Sequence, residues 1–391
     1  MSIEVSIVMP CLNEAQTLER CIVKALAFLR ASNLAGEILI GDNGSTDGSQ
    51  EIARRLGARV VGVPRRGYGA AVHGAVLAAQ GTYCVMADSD DSYDFRALDG
   101  FIAALRGGAD LVVGNRFRGG IQSGAMPWKN RYIGNPVLSG LGRLLFGTPI
   151  RDFHCGIRAF SRAAFARMDL RTTGMEFATE MVIKATLLGM NVVEVPTTLA
   201  KDGRSRPPHL RPWRDGWRHL RFMLLFSPNW VFLYPGLALM TIGLVCGGTL
   251  IANPVTFHGL RFSLGTLIYC VTMVEVGFQA AWFALLAQAY VVQAGLMPVK
   301  GRLRLVDRVV TLERGILSGT LLVMLGMALL AHAMAVWAEA GFGTLNVNEI
   351  VRIVIGSSLA ISMGFQVVLS SFLLGTLRLG IHPKRVPGTS V

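Results

Sequence analysis

Apolar and polar positions follow two different patterns along this chain. In the first two hundred residues, short apolar runs alternate with stretches whose apolar residues recur every three or four positions. IEVSIVM (3–9) reads as a buried strand, followed by a PCLNE loop and a helix reaching about residue 31. EILIGD (37–42) is a second strand ending in Asp42, and NGSTDGS leads into a helix that begins near Ser49. ARVVGVP is a third strand, RRGYGAAVHGAVLAAQG a loop and helix, and TYCVMA (82–87) a fourth strand. Strands and helices in alternation predict an α/β, Rossmann-like domain with a mostly parallel sheet. Ligands of such sheets bind at the carboxyl ends of the strands.

After residue 228 the apolar runs lengthen. Segments at about 230–252, 264–290, 316–338 and 351–377 are each long and apolar enough to cross a bilayer as a helix. Between the two regions, PHLRPWRDGWRHLRFMLLFSP (208–228) places Arg211, Arg214, Arg218 and Arg221 on one helical stripe, beside a stripe of Trp213, Trp217, Leu220 and Leu224. That is the pattern of a helix lying in a membrane interface. The chain therefore divides into 1–207, an interfacial helix at 208–228 and an all-α transmembrane domain at 229–391. A further amphipathic helix is expected at 132–147, with Val137, Leu138, Leu141, Leu144 and Leu145 facing either the sheet or a membrane.

Composition agrees with a membrane protein: of 391 residues, 52% are hydrophobic and only 16% charged, with a formal net charge of +13. The basic excess fits anionic lipid or a phosphorylated substrate better than nucleic acid, because no DNA- or RNA-binding signature accompanies it. Lys300, Arg302, Arg304, Arg308 and Arg314 cluster between the second and third spans, and Arg378, Lys384 and Arg385 follow the fourth. By the positive-inside tendency, both termini and the first domain face the cytoplasm of an inner or plasma membrane. Six cysteines at 11, 21, 84, 155, 246 and 270 form neither a CxxC nor a Cys/His cluster, so neither a zinc site nor a disulfide framework is expected. MSIEVSIVMP lacks the basic and apolar regions of a signal peptide and reads as the start of the first strand.

One stretch calls for a chemical explanation. VMADSDDSYD (85–94) crowds Asp88, Asp90, Asp91 and Asp94 into one loop after the fourth strand. A solvated acidic turn is one account of it. The other is a cation, since like charges this close are costly without compensation. Asp88 and Asp90, two positions apart, suit a hard divalent ion such as Mg²⁺ or Mn²⁺ that keeps open positions for phosphate.

Asn13-Glu14 in PCLNE, Asp42 in GDNGSTDGS and Asp88-x-Asp90 all fall at strand ends, in this order and ahead of a membrane anchor. Together they resemble the GT-A glycosyltransferases of family 2, and among these the polyprenyl-phosphate sugar transferases, the group that includes dolichyl-phosphate mannose synthase. GNRFRGG, DFHCGIRAF, TGMEFATEM and DGWRHLRFML extend the resemblance from residue 3 to about 228. It implies that Asp88 and Asp90 share a metal ion with the donor diphosphate. It also implies that Asp42 contacts the nucleobase, that Glu14 lies near the ribose, and that Pro10 and Asn13 shape their loop. A residue two beyond the DxD often adds a ligand in that family, and here it is Ser92. Arg204, Ser205 and Arg206 occupy the place of a loop that closes over the donor phosphates, although the family usually has Ser-Lys where this chain has Ser205-Arg206.

On the acceptor side, Arg116 matches a GSR-like family segment and Arg131 lies in the loop that follows. With Ser205, they are candidates for gripping a lipid phosphate, since guanidinium forks fit phosphate oxygens. Asp152 is the better candidate for a general base, while Glu180 reads as structural or metal-adjacent. The resemblance implies inverting transfer of a hexose from GDP-mannose or UDP-glucose to a polyprenyl phosphate. A processive polysaccharide synthase is an alternative, but its Gln-x-x-Arg-Trp motif is missing. A non-catalytic lipid-binding or flippase component is another, and the intact acidic and nucleotide residues count against it. Gly67-x-Gly69 faintly matches a dinucleotide fingerprint without the third glycine, so these glycines are expected to let backbone approach the donor. Glu275, one turn before Gln279, is an intramembrane carboxylate with either a functional or a pairing role.

Overall fold

The computed structural model describes residues 2–205, 212–252, 255–294, 310–343 and 347–378. Arg206, Arg211, the boundary near 207, Lys300, Arg302, Arg304, Arg308, Lys384 and Arg385 lie outside the described residues. The chain forms two compact units, Met1–Leu225 and Phe226–Val391.

In the first unit, seven strands build one sheet: β1 (Val5–Cys11), β2 (Gly36–Asp42), β3 (Arg59–Gly62), β4 (Tyr83–Met86), β5 (Leu111–Asn115), β6 (Arg158–Ser161) and β7 (Val192–Pro196). Their order is β3-β2-β1-β4-β6-β5-β7. All neighbours are parallel except β6, which runs antiparallel to both β4 and β5. The alternating reading from the sequence thus holds for the first four strands. β1 sits two residues later than expected because its pairing with β2 continues to Cys11 opposite Asp42. This register puts the ends of β1 and β2 level at the same edge. β6 was not legible as a strand: RAFS is short, and a fully buried arginine, Arg158, interrupts its apolar run.

Helices cover the sheet: α1 (Leu18–Ala31), α2 (Ser49–Arg55), α3 (Tyr68–Ala78), α4 (Asp99–Arg106), the single turn α5 (Arg116–Gly119), α6 (Asn135–Phe146), α7 (Arg162–Met168), α8 (Phe177–Leu187) and α9 (Pro212–Leu225). α1 buries Leu18, Cys21, Ile22, Ala25, Phe28 and Leu29, the spacing of one helical face. α6 covers most of the helix expected at 132–147. Its buried residues are the small ones, Ser139 and Gly142, with Gly142 against the ring of Phe153, and Val137 and Leu144 are exposed.

α9 belongs to this unit. Asp215, His219 and Met223 form its buried face, while Trp213 on the opposite side is 84% exposed and Trp217 is also exposed. Two tethers are polar: the Thr179 hydroxyl and His219 Nδ1 lie 2.8 Å apart, and Arg218 Nε is 3.5 Å from a Glu176 oxygen. The His219 ring also meets the ring of His154 edge-on, at 4.5 Å between centroids.

The second unit contains α10 (Tyr234–Ala252), α11 (Leu264–Gln293), α12 (Leu312–Glu339) and α13 (Val347–Arg378). Four spans, Asn229–Ile251, Leu264–Gln293, Leu312–Glu339 and Ile350–Arg378, have the length and apolarity to cross a membrane, and they overlap those expected from the sequence. Glycines let these helices meet backbone to backbone. A Cβ on Gly319 would lie 2.7 Å from the Gly364 carbonyl oxygen, and one on Gly364 2.6 Å from that of Gly319. Glu275 on α11 accepts a long hydrogen bond from Gln366 on α13, at 3.5 Å.

The seat of α9 should be pH-dependent. Burial, with the charges of Arg158 and Arg218 adding to it and Asp215 opposing it, lowers His219 to about 4. Burial and the neighbouring His219 lower His154 well below its ordinary value. Both rings are thus held neutral. Their contribution is complete above the unfolded histidine pKa near 6.5 and is lost as pH falls from there towards 4, by at most roughly 3 kcal/mol for His219. Denaturation midpoints of the detergent-solubilised chain should fall across that window, and His219→Gln should flatten the slope. An unchanged slope in the variant would remove His219 from the account.

Candidate active site

The site forms where the loops after β1, β2 and β4 meet at the carboxyl edge of the sheet. Asp42, only 2% exposed, accepts from the amides of Gly44 (2.9 Å) and Ser45 (3.1 and 3.2 Å) and from Gln50 Nε2 (2.7 Å). It thereby folds the DNGS turn (42–45) back onto its own strand. Asn13, at φ 59°, accepts from the Thr46 amide at 2.8 Å, and its own amide donates to Ser45 Oγ at 2.9 Å. The Glu14 amide donates to Ser49 Oγ at 2.9 Å, and Asp47 accepts from the Ala15 amide at 3.0 Å. The first and second loops are laced together in this way. Ser89, between the two aspartates of the DxD, ties the third loop in: its hydroxyl donates to the Pro10 carbonyl, and its own carbonyl accepts from Thr17 Oγ1, both at 2.7 Å. Pro10, Asn13, Glu14, Asp42, Asp88 and Asp90 therefore converge on one edge.

The acidic loop splits into two halves. Asp91 is neutralised by Lys24 at 2.6 Å and Arg20 at 3.4 Å, and Asp94 by Arg96 at 2.8 and 2.9 Å. Asp88 and Asp90 have different surroundings. Asp90 accepts from the Ser92 amide (3.0 Å) and hydroxyl (2.6 Å) through one oxygen, and from Arg204 Nη2 (3.1 Å) through the other. Ser92, the position where a further ligand was considered, thus holds Asp90 in place. Asp88 is raised to about 7 by burial and by the charge of Asp90, against the opposing effects of the Tyr68 hydroxyl, Arg204 and Arg116.

This pair suits a hard divalent ion: its donors are carboxylate oxygens, and a positive charge would relieve the repulsion that makes ionising Asp88 costly. Among the described residues no group of three or more His, Cys, Asp or Glu is arranged as a metal site. Two protein ligands, with phosphate and water for the rest, is the pattern by which such ions accompany nucleotides.

Arg116 and Asp152 form a buried bidentate pair. Arg116 Nε and Nη2 reach the two Asp152 oxygens at 2.8 and 2.7 Å, and the Arg116 amide adds a third bond at 3.0 Å. Asp152 is itself held by Glu194 on β7, whose carboxylate accepts from the Arg151 amide (2.6 Å), the Asp152 amide (3.0 Å) and Asn115 Nδ2 (2.9 Å). Asp152 is fully buried with both oxygens bonded to Arg116, an arrangement that fits orienting that guanidinium. Arg131 lies over the ring of Tyr132 at 5.5 Å, apart from that pair, and Ser205 donates to Gln16 at 2.9 Å. Glu180 is structural: it accepts from the Arg171 and Thr172 amides and pairs with Lys184 at 2.9 Å, fixing the 171–173 loop. That loop corrects the reading of Gly67 and Gly69. The backbone approaching them is that of Thr173 and Thr172, and a side chain at either glycine would collide with it.

Several participants were missed from the sequence. Arg158 has no carboxylate partner among its hydrogen bonds; it donates to the carbonyls of Cys155 (3.0 Å), Phe153 (2.6 Å) and Ala178, stapling the 153–156 loop from within the core. Gly156 in that loop faces Asp88: a Cβ there would lie 2.5 Å from Asp88 Oδ2. Tyr68 and Glu194 belong to the same shell. A glycine in CGIR signals a tight approach, but nothing along the chain tells which atom approaches.

A GT-A-like α/β domain with an acidic pair at its strand ends, carried on a chain with four membrane-length helices, defines a membrane-bound glycosyltransferase. Similarity to known proteins agrees. Residues 6–168 match the family described as glycosyl transferase family 2, and residues 285–378 match the glycosyltransferase family 2 C-terminal transmembrane region. The low-salt glycan biosynthesis hexosyltransferase Agl6 of Haloferax volcanii is 34% identical over 378 residues, spanning 95% of this chain and 88% of that protein. A dolichyl-phosphate hexose transferase of the same organism is 34% identical over 195 residues, 49% of this chain and 81% of that protein. The polyprenol monophosphomannose synthase of Mycolicibacterium smegmatis is 30% identical over 177 residues, 42% of this chain and 66% of that protein. The chain belongs to glycosyltransferase family 2.

Gly156→Ala tests the packing around Asp88. The added methyl should push that carboxylate out of place and lower glycosyl transfer by about 10–100-fold, the cost of a displacement near 1 Å. The thermal midpoint should stay near that of the parent. Unaltered transfer rates would mean that Asp88 does not have to sit where Gly156 holds it.

Proposed function

We propose that this enzyme transfers a hexose from a nucleotide sugar, GDP-mannose or UDP-glucose, to a polyprenyl phosphate, with inversion at the anomeric carbon. The observation that carries the reading is the Asp88/Asp90 pair at the strand edge, in a domain that also presents the exposed aromatic and arginine face of α9. The relatives named as a dolichyl-phosphate hexose transferase and a polyprenol monophosphomannose synthase support the same acceptor class.

In this reading the loops of Pro10, Asn13, Glu14 and Asp42 receive the nucleoside, with Asp42 setting the turn against which the base lies. Asp88 and Asp90 would hold Mg²⁺ or Mn²⁺, which when bound would supply Lewis-acid stabilisation of the nucleoside diphosphate leaving group. Arg116, kept in one orientation by Asp152 and Glu194, and Arg131 and Ser205 bind the acceptor phosphate. A phosphomonoester with its second pKa near 6 is already a nucleophile at neutral pH, so no side chain has to remove a proton. Its oxygen attacks the anomeric carbon in line, forming one C–O bond as the C–O bond to the diphosphate breaks. Positioning and charge stabilisation carry the rate. Trp213 and Trp217 on α9 and Trp128 and Tyr132 ahead of α6 are exposed, with Arg214, Arg221 and Lys129 alongside. Such a surface rests at headgroup depth, where a lipid phosphate lies. The positive charge of the sequence after the second span supports a cytoplasmic position for this domain.

The test is direct. Detergent-solubilised protein is incubated with Mg²⁺ or Mn²⁺, a polyprenyl phosphate, and labelled UDP-glucose or GDP-mannose in turn. Label should move into the organic phase with one donor, which identifies the nucleotide. Asp90→Asn should reduce transfer at least about 100-fold with membrane insertion intact, and survival of its activity would refute the metal assignment. Absence of lipid product from a wide panel of donors and lipid acceptors would refute the acceptor.

A further inference from the structure

Arg204 bridges three carboxylates at the acidic edge. Arg204 Nη1 donates to Glu14 Oε1 at 3.0 Å, Nη2 to Asp90 Oδ2 at 3.1 Å, and Nε to Asp202 at 2.9 Å. Its side chain is only 10% exposed. The segment that carries it is pinned at several points: the Ala200 amide to the Ser92 carbonyl (2.9 Å), the Gly203 amide to the Asp90 carbonyl (3.0 Å), and Ser205 to Gln16 (2.9 Å). Burial works against the charge on Arg204, yet hydrogen bonding by Asp202 and the charges of Asp90 and Glu14 outweigh it and raise its pKa further above the ordinary arginine value. One Asp90 oxygen is taken by Ser92 and the other by this guanidinium.

A divalent ion and a guanidinium that share one carboxylate oxygen compete for its negative charge and repel each other at close range, so each weakens the other's hold. We propose that Arg204 competes with the divalent cation for Asp90, so that the site discriminates against a bare ion and in favour of an ion that arrives with a diphosphate. A bare ion must displace Arg204 from Asp90 and leave it short of one anionic partner. An ion bound to a diphosphate brings that partner with it, and the released guanidinium can transfer to phosphate oxygens, which it fits well. The inference rests on the metal reading above and adds an energetic order: the ion alone binds weakly, and the ion with the nucleotide binds tightly.

The experiment measures Mn²⁺ binding to the full-length chain in detergent, by the loss of the free-ion electron paramagnetic resonance signal, with and without the nucleoside diphosphate matching the active donor. Removing the competing charge with Arg204→Gln should tighten binding of Mn²⁺ alone roughly tenfold or more, the effect of one adjacent unit charge. The same variant should bind the nucleoside diphosphate with Mn²⁺ more weakly than the parent, so the two effects have opposite signs. Arg204→Lys, which keeps the charge and loses the fork, should fall between, and covers the case in which the glutamine variant does not fold. Unchanged or weaker binding of Mn²⁺ alone in both variants overturns the competition while leaving the metal site standing. A parent chain whose Mn²⁺ affinity is unaffected by Asp90→Asn overturns the metal reading and this inference together.

Discussion

Two carboxylates placed two residues apart at the end of a buried strand repel each other, and the polar contacts around the acidic loop answer that repulsion. Asp91 and Asp94 are discharged by Lys24, Arg20 and Arg96. Asp90 is bound by Ser92 and Arg204, and Asp88 is left with a carboxyl raised to about 7 by burial and by Asp90. A surface turn would simply have hydrated these charges. Here Tyr68 and Gly156 pack around Asp88, and burial beside Asp90 makes its ionised form costly.

That closure depends on arginines in unlike roles. Arg158 is fully buried and bonds to carbonyls, so it serves as a staple for the loop that carries Gly156. Arg116 is locked by Asp152, which is in turn locked by Glu194, so its fork has one orientation. Arg204 bridges Glu14, Asp90 and Asp202 from a loop at the rim, where exchange of partners is feasible. The three differ in what they hold: Arg158 bonds only to backbone carbonyls, Arg116 to one carboxylate, and Arg204 to three.

The second unit follows another rule. Hydrophobic burial does not bring helices together in lipid, so the contacts of α12 with α13 rest on close backbone approach at glycine pairs such as Gly319 and Gly364. Glu275 and Gln366 add a polar cross-link of the kind that is worth little in water and more where no water competes.

The sequence alone was enough for whatever depends on local periodicity and on motifs read in order. It determined the first four strands, the four spans, the amphipathic character of α9, and the DxD together with its neighbours at the strand ends. Family resemblance then supplied the enzyme class. Pairings between residues far apart in the chain were decided only by the tertiary structure. That Arg116, thirty-six residues earlier, bonds to both oxygens of Asp152 could not be read along the chain. Gly67 and Gly69 could be read as making room for a ligand until the Thr172–Thr173 backbone was found there. β6 stayed hidden because RAFS offers only Ala159 and Phe160 as apolar residues, too few to show a strand pattern, whereas the equally short β3 lies in the longer apolar run ARVVGVP. Periodicity records which face of an element is buried, whereas the fate of a carboxylate depends on which charge the fold brings within about 3 Å of it, and that distance is a property of the folded chain.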